Sequence, residues 1–235
     1  MSNFIKTFLI LFLIVPASTF GYEFSAMTLN VDNLFDTLDD IKKDDKAYLP
    51  IEFKQSEAHK KSCNRISVNS WKNECLYLNW NEETKNAKLK NIANSIISYG
   101  QNGPDIIALQ EVENNNILKQ LLDLIRPYGY IDSVLIEGKD YRGIDTALIS
   151  RFKIVDSKLH YIKFSGEFEG KDTRPILDAT LEVNGDKLKI YNVHFPSGFH
   201  DVSMRIDSLN VLSGLLNRHN YPTIALGDFN VNTKE

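Results

Sequence analysis

Cysteine is scarce: the 235 residues hold two, Cys63 and Cys75. Two thiols exclude a disulfide-dense scaffold, and with His59 as the only nearby imidazole they make a poor zinc site. Long apolar runs are nearly absent. The one clear run, Phe8–Val15, falls well short of the ~20 residues needed to cross a bilayer. Positive charge is not in excess, since 27 Lys and Arg face 31 Asp and Glu for a formal net charge of −4. That balance argues against general electrostatic adhesion to DNA or anionic membranes. A phosphate ester then needs a local cation to offset the acids. No internal repeat or low-complexity tract occurs, which excludes solenoid and linker-like architectures.

What is present is ordinary globular composition, 43% hydrophobic and 25% charged, at a length that suits one domain with an ample core. Lys6, the apolar run and the small residues Ala17, Ser18 and Gly21 form a secretory-signal pattern with cleavage after Ala17 or Gly21. The competing reading is an uncleaved membrane anchor. The expected organisation is a signal at 1–21 and a domain at 22–235, in a secreted or periplasmic monomer with no stable membrane insertion after cleavage. In such a compartment Cys63 and Cys75 either form a bridge worth about 3 kcal/mol at best or remain unpaired thiols.

Apolar periodicity predicts helices around Leu89–Ile97, Ile117–Ile125 and Leu209–Leu216. Strands are predicted at 22–31, 105–110, 130–136, 146–150, 154–164, 176–183, 188–193 and 223–226, with a hairpin at Asn184-Gly185-Asp186. Between Asp36 and Thr84 the periodicity breaks down, and the tryptophans argue for an ordered but irregular insertion. Helices interleaved with hairpin-linked strands predict a layered α/β sandwich with mixed sheets.

Four polar clusters stand at the C-terminal ends of predicted strands: Asn30-Val31-Asp32-Asn33, Gln110-Glu111, Asn192-Val193-His194 and Gly227-Asp228-Phe229-Asn230. Glu111 and Asn30 offer oxygens of the kind a hard cation such as Mg²⁺ prefers. Asp228 is suited to take a proton from an attacking water. His194 and Asn230 are suited to donate hydrogen bonds to phosphoryl oxygens. Singly, each has a bland alternative as a solvated acid, a turn residue or a structural histidine.

Together, these four clusters in this order resemble the endonuclease/exonuclease/phosphatase superfamily, which has the deoxyribonuclease I-like fold. Gln110-Glu111-Val112 and Gly227-Asp228-Phe229-Asn230 carry most of the likeness. The resemblance implies two mixed sheets flanked by helices. It implies that Asn30 and Glu111 hold a divalent metal (Mg²⁺, or Mn²⁺ or Ca²⁺), with Asp32 in its shell. His194, Asp228 and Asn230 would be catalytic, and Arg142 and Asp145 would lie near the substrate. Arg174 is suited by its planar fork to bind phosphate, with a structural ion pair as an equal alternative. The segments around Asn30 and Arg142 look most like secreted bacterial nuclease-type members, so a nucleic acid or another phosphate ester is the expected substrate.

The superfamily closes with a further strand pair and a Ser-Asp-His-type motif, and nothing of that kind follows Asn230. The expectation is therefore a C-terminally truncated domain, its last strands missing, inactive or poorly folded as it stands. Two other readings stay open: a secreted binding or effector protein that kept the fold without catalysis, and a sphingomyelinase- or inositol-phosphatase-type member.

Overall fold

A computed structural model describes residues 22–218 and 220–231. The predicted export signal at 1–21 lies outside the described residues. Among those described, no helix is long and apolar enough to cross a membrane.

Eight strands form two four-stranded sheets. In the first, β1 (Ala26–Leu34) runs parallel to β2 (Ile106–Val112). β2 pairs antiparallel with β4 (Asp145–Ser150), and β4 with β3 (Asp132–Leu135). In the second, β5 (Lys153–His160), β6 (Ile176–Val183) and β7 (Asp186–His194) are antiparallel neighbours, and β8 (Thr223–Asp228) lies parallel to β7. The β6–β7 turn has Asn184 at φ +52° and Gly185 at φ +90°, the left-handed pair that a two-residue hairpin favours.

Side-chain alternation builds the layers. Along β2, Ile107, Leu109 and Val112 face a cluster that includes Leu89, Ile92 and Ile96 of α3 (Glu82–Ser98) and Ile117, Leu121 and Ile125 of α4 (Asn115–Ile125). Ile106 and Ala108 face the other way, onto Leu177, Ala179, Leu181 and Ile190 of the second sheet. The outer face of that sheet, with Tyr191 and Val193, packs on Met204, Leu212 and Leu215 of α5 (Val202–Leu216). The result is helix, sheet, sheet, helix: the layered sandwich with two mixed sheets that the sequence predicts.

Each of these three helices starts at a side-chain cap. Asn81, Asn114 and Asp201 accept hydrogen bonds from the backbone N–H of Thr84, Ile117 and Ser203 respectively.

The segment from 36 to 84 differs from the irregular expectation. It holds α1 (Glu57–Cys63), α2 (Asn69–Tyr77) and two single-turn 3₁₀ pieces. Cys63 and Cys75 form a disulfide that joins α1 to α2. Trp80 is buried and donates its indole N–H to the carbonyls of Asp36 (2.8 Å) and Phe35 (3.2 Å). Its helical pattern was hidden because α1 buries only His59 and Cys63, and α2 only Cys75.

Candidate functional site

β1, β2, β7 and β8 all end on the same side of the molecule. Within the sheets, Asn30 lies opposite Gln110 and His194 opposite Asp228. β1 and β8, the outer strands of their respective sheets, approach each other, so the four strand ends meet.

Asn30 joins the two sheets directly. Its Nδ2 donates to Glu111 Oε1 (3.2 Å) and to Asp228 Oδ2 (3.2 Å). His194 Nε2 stands 3.7 Å and 3.8 Å from the same two oxygens. Those separations are too long for hydrogen bonds but leave all four side chains around one point.

The backbone there is strained. Six non-glycine residues among those described have positive φ, and Asp32, Asn33, Glu111 and Asn230 are four of them. Such conformations persist where the surroundings over-determine them. Pairing between β2 and β4 shifts between Gln110 and Val112, a bulge at Glu111 that re-aims its side chain. Glu111 Oε2 then accepts the N–H of Asn33 (3.0 Å). At Gly227, φ is +133° and a Cβ would lie 2.1 Å from the Val193 carbonyl oxygen. Only glycine lets β8 come this close to β7 and deliver Asp228.

Beneath the site a buried amide ladder spans the sheets. Asn192 Nδ2 donates to Leu109 O and Ala147 O, both at 2.8 Å, while its Oδ1 accepts from Gln110 Nε2 (2.8 Å). Gln110 Oε1 accepts from Thr28 Oγ1 (3.3 Å). Asn192 and Gln110 belong to the polar clusters recognised in the sequence, but they touch no open space. They position the strands.

Burial pushes the pKa of His194 down to about 3, with Arg174 and Arg142 acting in the same direction. The ring is therefore neutral at ordinary pH. Arg174 is nearly buried. It pairs with Asp140 (3.4 Å) and reaches the Phe195 carbonyl (3.4 Å), and burial lowers its pKa.

Asn30, Glu111, His194, Asp228, Asn230, Arg142 and Arg174 line one cleft of about 740 Å³. Two predicted site residues stand elsewhere. Asp32 is exposed outside the cleft lining, its N–H donating to Asn30 Oδ1 (2.9 Å) and its carbonyl accepting from Lys88. Asp145 is buried, with its carboxylate accepting the N–H of Gly138 (3.0 Å), so it shapes the loop that carries Arg142. The placement of Asn230 is also specific. Its Nδ2 donates to Phe195 O (2.9 Å) and its N–H to Asp228 Oδ1 (2.9 Å), an arrangement that holds the Asp228 carboxylate in place.

Sequence reasoning missed Trp71, Phe199 and His200, which also line the cleft. Trp71 sits where periodicity was unreadable, and an exposed ring in a loop, such as Phe199, gives no pattern at all.

The donor set suits a hard divalent cation. Glu111 and Asp228 face each other across a gap now bridged by one amide nitrogen, and a hard cation takes such carboxylate oxygens while keeping several waters. Among the described residues, the one group of three His, Cys, Asp or Glu side chains whose ligand atoms lie close together is His59 with Cys63 and Cys75, and its two sulfurs are bonded to each other.

Comparison with known proteins bears on the fold and the family. The model of the "Endonuclease/Exonuclease/phosphatase family" matches residues 67–233. No curated protein matches. Among solved structures, a β-hairpin deletion mutant of beta toxin from Staphylococcus aureus is 16% identical over 91% of this chain, with TM-score 0.52. The mannosyl-6-phosphatase Bt3783 of Bacteroides thetaiotaomicron is 19% identical over 64%, with TM-score 0.50. A family protein from Leptotrichia buccalis C-1013-b is 20% identical over 66%, with TM-score 0.47. The matched stretches make up 69%, 59% and 64% of those chains respectively. At such identities the likeness to the first two speaks to fold alone. The family match covers well over half of the sequence, including three of the four converging strand ends, and the chain belongs to the endonuclease/exonuclease/phosphatase family.

Proposed function

We propose that this chain is a metal-dependent hydrolase of phosphodiesters, of the nuclease kind, working outside the cytoplasm. The observation that carries the reading is the meeting of Asn30, Glu111, His194 and Asp228, drawn from both sheets, around one point in an open cleft. The activities in the family's name all cleave phosphate esters, which supports the same class.

Glu111 would hold a divalent cation such as Mg²⁺, joined by Asn30 once its amide, whose Oδ1 accepts the Asp32 N–H (2.9 Å), turns that oxygen toward the cation, and the bound cation would offset charge on the phosphate. Asp228 is the group to take a proton from the attacking water. His194, neutral through burial, donates from Nε2 to a phosphoryl oxygen as negative charge grows there. Arg142, exposed at the cleft wall, binds the flanking phosphate. Arg174 sits deeper and stiffens the wall through Asp140.

An extracytoplasmic location is supported by the signal-like pattern of residues 1–21 and by the Cys63–Cys75 bridge, which persists in oxidising surroundings.

The test is a substrate panel of plasmid DNA, RNA, sphingomyelin and inositol phosphates with Mg²⁺ or Mn²⁺, repeated with EDTA. Glu111→Gln and Asp228→Asn are each expected to lower turnover by at least about 100-fold with melting unchanged. Turnover that survives both chelation and these substitutions would end the proposal.

A further inference from the structure

The chain has two tryptophans, and they are treated oppositely. Trp80 is 5% exposed with its indole N–H satisfied, whereas Trp71 is 58% exposed. A large aromatic ring left in water forgoes about 2 kcal/mol of burial, so its location matters. Trp71 lines the cleft that holds Glu111 and Asp228. It also lines a neighbouring pocket of about 270 Å³ bounded by Phe35 and Tyr48. Arg142 lines both as well. An aromatic platform and a guanidinium therefore share the wall between the hydrolytic cleft and the adjoining pocket.

That platform is held in place. Trp71 lies on α2, and one helical turn further on Cys75 is bonded to Cys63 of α1. The buried Lys54 ammonium donates to the carbonyls of Glu74 (3.2 Å) and Leu78 (2.7 Å), which anchors the C-terminal end of the same helix. A helix fixed before the ligand arrives carries the ring to the cleft without ordering its backbone on binding.

Resting on the nuclease reading of the cleft, we infer that Trp71 and Arg142 form a nucleotide subsite that stacks an unpaired base and holds its phosphate, making single-stranded nucleic acid the preferred substrate. The ring offers what every base can use, a flat π-face, and the guanidinium offers what every nucleotide linkage needs. Inside a duplex the base faces are already covered by their neighbours, so only an unpaired or terminal base can occupy the platform. The net negative charge of the chain points the same way, since it provides no long basic track for a duplex. Phe199, 97% exposed on the loop between β7 and α5, lines the same cleft and gives a second ring for a neighbouring base.

The intrinsic fluorescence isolates this site, because Trp80 is buried and Trp71 is the tryptophan open to a ligand. A short single-stranded oligothymidylate, titrated in EDTA so that no turnover occurs, is expected to quench the emission saturably. A duplex of equal length is expected to quench it weakly. By anisotropy of a labelled oligonucleotide, Trp71→Ala weakens binding by about 10-fold, Trp71→Phe retains most of the affinity, and the melting temperature of both stays at the wild-type value. With Mg²⁺ present, Trp71→Ala raises KM for the oligonucleotide and leaves kcat within about two-fold. Saturable quenching by a chain that turns over nothing would uphold the subsite while refuting hydrolysis. Turnover of nucleic acid with no quenching, and with KM indifferent to Trp71→Ala, would overturn the subsite and leave hydrolysis standing. Quenching by sphingomyelin vesicles but not by oligonucleotides would also overturn it.

Discussion

Asp45 is buried, its carboxylate Oδ2 accepts the N–H of Asp40 at 2.7 Å, and Oδ1 has no hydrogen-bond partner among the described residues. Burial raises its pKa to about 6, and Asp39 and Asp40 add to the effect against two backbone hydrogen bonds. The folded value lies above the unfolded value of 3.8, so between about pH 4 and pH 6 the folded protein keeps a proton that the unfolded chain has released. Stability from this group is therefore full below pH 4, falls through that window and stays lower above it. Asp45→Asn keeps the acceptor for Asp40 and removes the charge. It is expected to melt close to wild type at pH 4 and higher at pH 7, by a gain of at most about 3 kcal/mol. Melting curves at the two pH values decide the matter: a difference that does not grow with pH would contradict it. At this scale the site was only partly legible. Glu111, His194 and Asp228 follow apolar strands and could be read as strand-end residues. The outward turn of Asp32 depends on a left-handed backbone at φ +53°, and the burial of Asp145 on a loop that folds back over it, neither of which residue type reveals.

Among the elements, α4 was legible because five of its residues, Ile117, Leu118, Leu121, Leu122 and Ile125, are buried on one face. α1 and α2 were not, because what holds them is covalent and polar. The disulfide joins them, and Lys54 donates to the carbonyls of Ala47, Glu74 and Leu78 in place of an apolar stripe. The bridge closes a short loop, 12 residues apart in sequence, for which chain entropy gives about 3 kcal/mol. Replacing both cysteines by alanine is expected to lower the melting temperature by about 6–12 °C. Proteolysis should then begin between 55 and 80, ahead of the sheets, because these helices lie outside the two-sheet core. A cysteine-free variant that melts with wild type, or is first cut within α3 or α4, would show that the bridge does not organise this segment.

At the level of the whole molecule, the proposed function depends on two sheets keeping their register, since Asn30 and Glu111 come from one and His194 and Asp228 from the other. Apolar contacts between sheets are not directional, so Ile106, Leu177 and Ile190 hold the layers together without fixing how far one slides along the other. Direction comes from the fully buried Asn192, whose amide links β7 to Leu109 of β2 and Ala147 of β4 and receives the Gln110 amide. Asn192→Leu, close in size, removes these bonds and leaves the Gln110 amide without this partner, a loss of about 1–3 kcal/mol for each buried group stranded. Ile96→Ala empties a fully buried position under α3, away from the sheet interface, and costs a similar ~2–5 kcal/mol. If the amide ladder sets the register, Asn192→Leu loses phosphodiester turnover at least about 10-fold beyond Ile96→Ala when both are assayed fully folded, because only the former lets the two halves of the site drift apart. Equal turnover in the two variants would mean that apolar packing alone aligns the sheets, and that the ladder serves stability and nothing more.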